Sequence, residues 1–152
     1  MGFAVRKLTR ADIPQLRELN LLFGDAFSDW ETYSSAPPAD AYLGDLLAEP
    51  HIIVLVALVE AQVTGGLVAY ELRKFERRRS EIYLYDLAVA EPFRRRGIAS
   101  ALLQQLCALA AERGASSVFV QADYADQPAI ALYTKFGARE AVLHFDVKPA
   151  RP

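Results

Sequence analysis

The sequence predicts an α+β protein in which helices lie on one mixed, mostly antiparallel sheet, and three observations carry that reading. Apolar runs of strand length at 52–59 and 63–72 are separated only by Glu60-Ala61-Gln62, the spacing of a hairpin between two central antiparallel strands. The stretch YLYDLAVAEPFRRRGIASALL, residues 83–103, begins with β-branched and aromatic residues, breaks at Ala90-Glu91-Pro92, and resumes with Ile98, Leu102, Leu103 and Leu106 at helical spacing. The remaining segments alternate in type and are punctuated by Gly and Pro, which gives the order β-α-α-β-β-β-α-β-α-β.

Residues 3–8 alternate as a first strand. Thr9 or Asp12 then caps a helix with Ile13, Leu16, Leu19 and Leu22 on one face, Pro14 in its first turn and Gly24 at its end. Residues 24–39 mix acids and aromatics between Gly and Pro breaks, a long segment of the kind that serves a site. A short helix from Asp40 to about Glu49 turns Tyr42, Leu43, Leu46 and Leu47 inward and stops at Pro50; together with the preceding loop it is a candidate substrate-facing flap. Within the second hairpin strand, Gly65-Gly66 marks a bulge or a close backbone approach. The basic stretch 73–79 leads into the strand that ends at Val89, and the long helix after it stops at Arg113-Gly114. Residues 118–122 are a fifth strand, 128–136 a short helix closed by Gly137, and 138–147 a last extended segment.

At 152 residues the chain suffices for one domain, 1–152, with a core of its own. A hydrophobic content of 53% beside 24% charged residues excludes a disordered chain, and no apolar run reaches membrane-spanning length. The N-terminus lacks a long apolar stretch, so a cytoplasmic location is expected. One cysteine, Cys107, and two distant histidines offer neither an internal disulfide nor a metal cluster; Cys107 reads as a packed thiol, and no metal is expected. A net charge of −2 argues against nucleic acid as a partner, yet charge is divided: Lys74 with Arg77 to Arg79 and Arg94 to Arg96 are basic, and acids crowd 25–45.

The chemistry starts at Arg94, Arg95, Arg96 and Gly97, followed by Ile98, Ala99 and Ser100. A helix start exposes unbonded N–H groups and a positive dipole end, which suits a phosphate; a solvated basic turn is the other reading. A second pattern, Asp126-x-x-Ala129-x-x-x-Tyr133, lies on the next helix. Paired, the two patterns resemble the GNAT superfamily of acyl-CoA-dependent N-acyltransferases across the whole chain. More specifically, Ser80 to Val89, Gln121-Ala122-Asp123-Tyr124-Ala125-Asp126, Ala131-Leu132-Tyr133-Thr134-Lys135 and His144-Phe145-Asp146 are similar to the aminoglycoside 3-N-acetyltransferases.

The resemblance implies a GNAT-like sheet splayed between strands four and five and flanked by about four helices. It implies acetyl-CoA as cosubstrate, with pantetheine along Leu87, Ala88 and Val89, pyrophosphate at Arg94 to Ser100, and contributions from Asp126, Ala129 and Tyr133. The implied acceptor is an aminoglycoside acetylated on its 3-amino group, which would confer antibiotic resistance. Polyamines, peptides or proteins are alternative acceptors, and a silent acyl-CoA-binding module is a further alternative. Because the superfamily usually has two strands after the last helix and only one fits here, an exposed sheet edge and a homodimer are expected.

An ammonium acceptor calls for acidic walls. Strand alternation sets Glu81, Tyr83, Tyr85 and Leu87 on one face and Ile82, Leu84, Asp86 and Ala88 on the other, which makes Asp86 a structural carboxylate. The acids expected to take the proton are therefore Glu81 and Asp123. Tyr133 matches the family's acid toward the departing thiolate. Substrate contacts are expected at Glu81, Tyr83, Asp123, Tyr124, Asp126 and Asp146, and in the loop at Asp29, Glu31 and Tyr33.

Overall fold

The computed structural model describes residues 2–152, which form two compact units divided after Gln121. The first unit is a five-stranded sheet in the order β1-β2-β3-β4-β5, formed by Ala4–Lys7, Ile52–Val59, Gln62–Lys74, Arg79–Val89 and Ala115–Val120. The first four strands are antiparallel to their neighbours, and β5 is parallel to β4. The mixed sheet read from the sequence is therefore present.

Helices α1 (Ile13–Ala26) and α3 (Asp40–Ala48) cover one region of the sheet, and the short α2 (Trp30–Ser34) lies between them in sequence. Leu16, Leu19 and Phe23 of α1 and Leu43 and Leu47 of α3 are buried in one cluster with Val54, Val56, Val63 and Ala88 from the strands. Gly66 shows how closely α1 sits: a Cβ there would lie 2.5 Å from Leu19 and 2.8 Å from the Leu55 carbonyl. Helix α4 (Ile98–Glu112) buries Ile98, Leu102, Leu103, Leu106 and Ala110, the spacing that its sequence predicted. It ends at Gly114, whose φ of +69° is the left-handed cap geometry.

The β2–β3 hairpin has two irregularities. Glu60 and Ala61 turn β2 into β3 with φ of +49° and +68°, so two L-residues hold a conformation that glycine adopts freely. Between Ala57/Leu58 and Gly65/Val63 the register slips by one, leaving buried Thr64 as the extra residue. Its hydroxyl donates to the Ala57 carbonyl at 3.2 Å. The Gly-Gly segment thus holds both a bulge next to it and a close backbone approach.

Several expectations are corrected. Helix α1 runs past Gly24 to Ala26, because Gly24 is itself buried against Trp30 and Tyr33. The loop at 24–39 contains α2, capped by Asp29, which accepts from the Thr32 N–H at 3.1 Å. There are five α-helices among the described residues rather than about four. Cys107 is exposed: it follows Leu106 on the solvent side of α4 and is not packed.

The second unit, residues 122–152, contains α5 (Gln127–Thr134) and an extended tail. Asp126 caps α5 by accepting from the Ala129 N–H at 3.1 Å. The strand expected at 138–147 is absent: these residues are exposed and carry no ladder hydrogen bonds. Their alternating apolar side chains suit a strand, but a strand forms only where a neighbour supplies the other half of the ladder.

Candidate active site

β4 changes character halfway along. From Ser80 to Leu84 it is bonded on both sides, to β3 and to β5. Pairing with β5 stops at Leu84 and Val120, whereas pairing with β3 continues to Val89. The register against β3 slips at the same place, with Leu84 opposite Ala69 and Asp86 opposite Val68, so Tyr85 is the extra residue of a bulge. A bulge shifts the phase of side-chain alternation.

That shift corrects the reading of Asp86. Ile82 and Leu84 are fully buried and lie outside the cluster under α1, whereas Ala88 belongs to it. Asp86 therefore does not share the face of Ile82 and Leu84. It lines a cavity of about 270 Å³ beside Tyr85, its neighbour in sequence, together with Asn20, Thr32, Tyr33, Ala36, Pro38 and Tyr70. Two consecutive residues facing one cavity are what a regular strand forbids and a bulge permits.

The polar chemistry of the cavity centres on Asp86. The Tyr33 hydroxyl donates to its Oδ1 at 3.0 Å. Burial raises the Asp86 carboxyl above its ordinary value, and the hydrogen bond from Tyr33 opposes that rise. Burial and the Asp86 charge also push the Tyr33 phenol up, and Tyr70 is raised in the same way. The tyrosines thus stay protonated and the carboxylate is the basic group. Tyr33 is held in place by Phe23 and Phe27, whose ring centroids both lie 5.8 Å from its own. A half-buried carboxylate among phenol rings suits a primary ammonium.

Beyond the splay, a 3₁₀ turn at Glu91–Phe93 leads into the arginine loop. Gly97 caps α4 with φ of +80° and open space around its missing Cβ; its role is conformational. The Arg94 Nε donates to the Val89 carbonyl at 3.0 Å, and the Arg96 guanidinium lies 5.2 Å from the Phe93 ring centroid. All three arginines are exposed, so the loop combines positive charge with the amide-bearing end of a 15-residue helix. Ile98 is 2% exposed, so only its backbone is available there.

The other residues singled out in the sequence fall in several places. Glu81 is engaged by Arg79 at 3.0 Å, and the same guanidinium holds Glu76 and the Ser116 hydroxyl. Its carboxylate is thus already paired, unlike that of Asp86. Tyr83 donates to Gln121 Oε1 at 2.9 Å. Asp29 is a helix cap and Glu31 is exposed on α2, while Tyr33 reaches the cavity. In the second unit, Asp123 is exposed and its carbonyl accepts from the Asp126 N–H. Tyr124 lies under Arg139, 5.4 Å from guanidinium to ring, and Asp146 contacts His144 Nε2 at 3.0 Å. Burial and then the Asp126 charge push the Tyr133 phenol up to about 12. Of the cavity residues, only Tyr33 was expected as a substrate contact; Asp86 was read as a structural carboxylate, and no local signal announces the bulge that sets it beside Tyr85.

A mixed sheet that loses β5 halfway along β4, followed by an arginine-glycine loop at a helix start, is the frame of an N-acyltransferase. Residues 16–138 match the family model described as the acetyltransferase (GNAT) family, and the chain belongs to that family. Among solved structures it is similar to the aminoglycoside acetyltransferase HMB0005 from an uncultured soil metagenomic sample. The two are 51% identical, with a TM-score of 0.96, over 99% of this chain and 100% of that one. It is also similar to meta-AAC0020, an aminoglycoside acetyltransferase from an uncultured soil metagenomic sample solved with sisomicin. Here identity is 31% and the TM-score 0.89 over 97% of each chain. An N-alpha-acetyltransferase of Sulfolobus acidocaldarius is 32% identical over 98 residues, a match spanning 57% of this chain and 58% of that protein.

Proposed function

We propose that this protein transfers the acetyl group of acetyl-CoA directly to the 3-amino group of an aminoglycoside, in the cytoplasm and as a homodimer, and so confers resistance. The observation that carries this reading is the 51% identity to an aminoglycoside acetyltransferase along essentially the whole chain. The acidic, aromatic cavity beside β4 supports an ammonium acceptor, and the QADY and ALYTK segments support the 3-amino position.

The residues present fit acetyl-CoA. Exposed Arg94 to Arg96 and the amides that follow Gly97 offer an anion site, and the edge of β4 from Leu87 to Val89 is unpaired on the β5 side. The cosubstrate supplies an activated acyl carbon and a thiolate leaving group. Asp86 takes a proton from the acceptor ammonium, the freed nitrogen forms the amide bond as the C–S bond breaks, and the thiolate takes up a proton. Backbone N–H groups near Val89 offer the developing oxyanion its donors. The resemblance gives the thiolate proton to Tyr133, a group that keeps its proton below about pH 12. Asp86 replaces Glu81 as proton acceptor in this reading because Glu81 is paired with Arg79. Asp123, the other acid expected to take the proton, enters this reading through its substrate-binding role with Tyr124, Asp126 and Asp146, and Ala129 through a backbone contact with the cosubstrate.

The test is thiol release from acetyl-CoA in the presence of gentamicin, sisomicin, kanamycin, spermidine or a lysine peptide. Turnover with an aminoglycoside and product NMR showing acetyl on the 3-amino nitrogen are expected. Turnover with only spermidine or the peptide would overturn the reading, and no turnover at all points to a silent acyl-CoA-binding module.

A further inference from the structure

An unbroken row of aromatic rings leaves the cavity and crosses the sheet. Tyr70 on β3 meets Tyr85 on β4 edge to face, with centroids 6.0 Å apart. Tyr85 meets Tyr83 at 5.4 Å, and Tyr83 stacks on Phe119 of β5 at 4.7 Å with 24° between the planes. The register produces the row: Tyr70 is opposite Tyr83, Tyr83 is opposite Phe119, and Tyr85, two residues beyond Tyr83, shares its side by alternation. The hydrogen bond from Tyr83 to Gln121 fixes one ring of the row.

Packing does not account for it. Tyr85 is 61% exposed and Phe119 36%, whereas the leucines and isoleucines of the core are almost fully covered. One end opens into the cavity, where Tyr70 and Tyr85 are walls and Asp86 is the anion. On the same strand as Asp86, the guanidinium of Arg79 is balanced by Glu76 and Glu81. The row is therefore aromatic and continuous with a negative cavity, its rings turned against one another by 86°, 54° and 24° along its length. Aromatic faces attract cations through their quadrupole and present broad apolar area to the C–H face of a sugar ring.

We infer that this row is a platform for the sugar rings of the acceptor: the reacting amine enters the Asp86 cavity, and an adjoining amino-sugar ring packs against the exposed parts of Tyr85 and Phe119, with Tyr83 backing Phe119 by stacking on it. The inference rests on the aminoglycoside reading and deepens it, since it makes Phe119, Tyr83, Tyr85 and Tyr70 the residues that separate ring-bearing amines from linear ones. A linear polyamine offers Asp86 the same ammonium and has no ring to stack.

Calorimetric titration of sisomicin and of spermidine into the wild type, Phe119→Ala and Phe119→Tyr tests it. Phe119→Ala should weaken sisomicin binding about three- to tenfold and spermidine binding less than about twofold, and Phe119→Tyr should restore sisomicin. Phe119→Leu, which keeps most of the volume without the ring, guards against a folding defect and should show the same selective loss. Equal loss of both ligands, or no loss of sisomicin, overturns the platform. Sisomicin that binds selectively but is never acetylated sinks the proposed reaction and leaves the platform standing; sisomicin that is acetylated by all variants alike, with unchanged affinity, does the reverse. Failure of the wild type to bind sisomicin defeats both.

Discussion

The two halves of β4 differ in one respect from which the rest follows. Ser80 to Leu84 has a strand on each side, and its side chains alternate regularly between buried and half-exposed. Tyr85 to Val89 has a partner on one side only, starts with a bulge, and carries the half-buried Asp86. A sheet interior must satisfy every backbone group with a neighbouring strand, which leaves no room for a ligand. Where β5 turns away, backbone groups become available and a carboxylate can be held beside a cavity without being sealed in the core. Regular pairing is concentrated in the first half, and the cavity and its half-buried carboxylate, where we propose the chemistry, in the second.

The largest blow to the second half is Asp86→Asn. It keeps an acceptor for the Tyr33 hydroxyl and removes the base, so kcat should fall about 10²- to 10⁴-fold in steady-state assays while the melting temperature stays close to that of the wild type. Full activity in this variant would return the role to another acid. Tyr133→Phe should lower kcat by roughly 10²-fold if the phenol supplies a proton to the leaving group, and a proton inventory or pH profile then separates that role from packing.

The first half and its surroundings respond in stability instead. Gly66→Ala forces a Cβ onto Leu19 and the Leu55 carbonyl, and denaturant unfolding should show a loss of about 1–3 kcal/mol. Glu71 is held by the Ser80 hydroxyl at 2.6 Å and by Arg113 at 2.8 Å. Burial opposes its ionisation, but these partners win and its carboxyl lies below the usual 4.5. A depressed folded value stabilises the protein above the unfolded value and loses that contribution as pH falls through the folded one. Glu71→Gln should therefore cost about 1–2 kcal/mol at pH 7, with the difference from wild type closing below pH 4.5 in thermal melts.

The smallest effect sharpens the comparison most. Tyr33→Phe removes the hydrogen bond that opposes the burial-driven rise of Asp86, so the acidic limb of kcat/KM should move to higher pH with little change in the plateau. An acidic limb that does not move would separate Tyr33 from the chemistry.

Much of this is legible in the sequence. The hairpin, the long helix and its glycine stop and the arginine loop follow from periodicity and turn residues, and the family from the resemblance that the paired motifs carry. Asp86 was misplaced because alternation is a rule for unbroken strands, and a one-residue slip against Ala69 and Val68 is invisible in the letters 80–89. Glu81 looked free because its partner, Arg79, reads as one member of a solvated basic run, although that guanidinium lies against Glu81, Glu76 and Ser116. The tail 138–147 has the pattern of a strand and lacks its ladder, since pattern specifies what a segment could pair with and not whether the pair is made.

The turn between β2 and β3 shows where this protein has slack for engineering. Glu60 and Ala61 both sit in left-handed backbone geometry, a conformation that disfavours each by about 1 kcal/mol relative to glycine. Neither lines the Asp86 cavity. Replacing them with the Asn-Gly pair that such a turn prefers offers thermostability at a position where robustness and activity need not trade against each other.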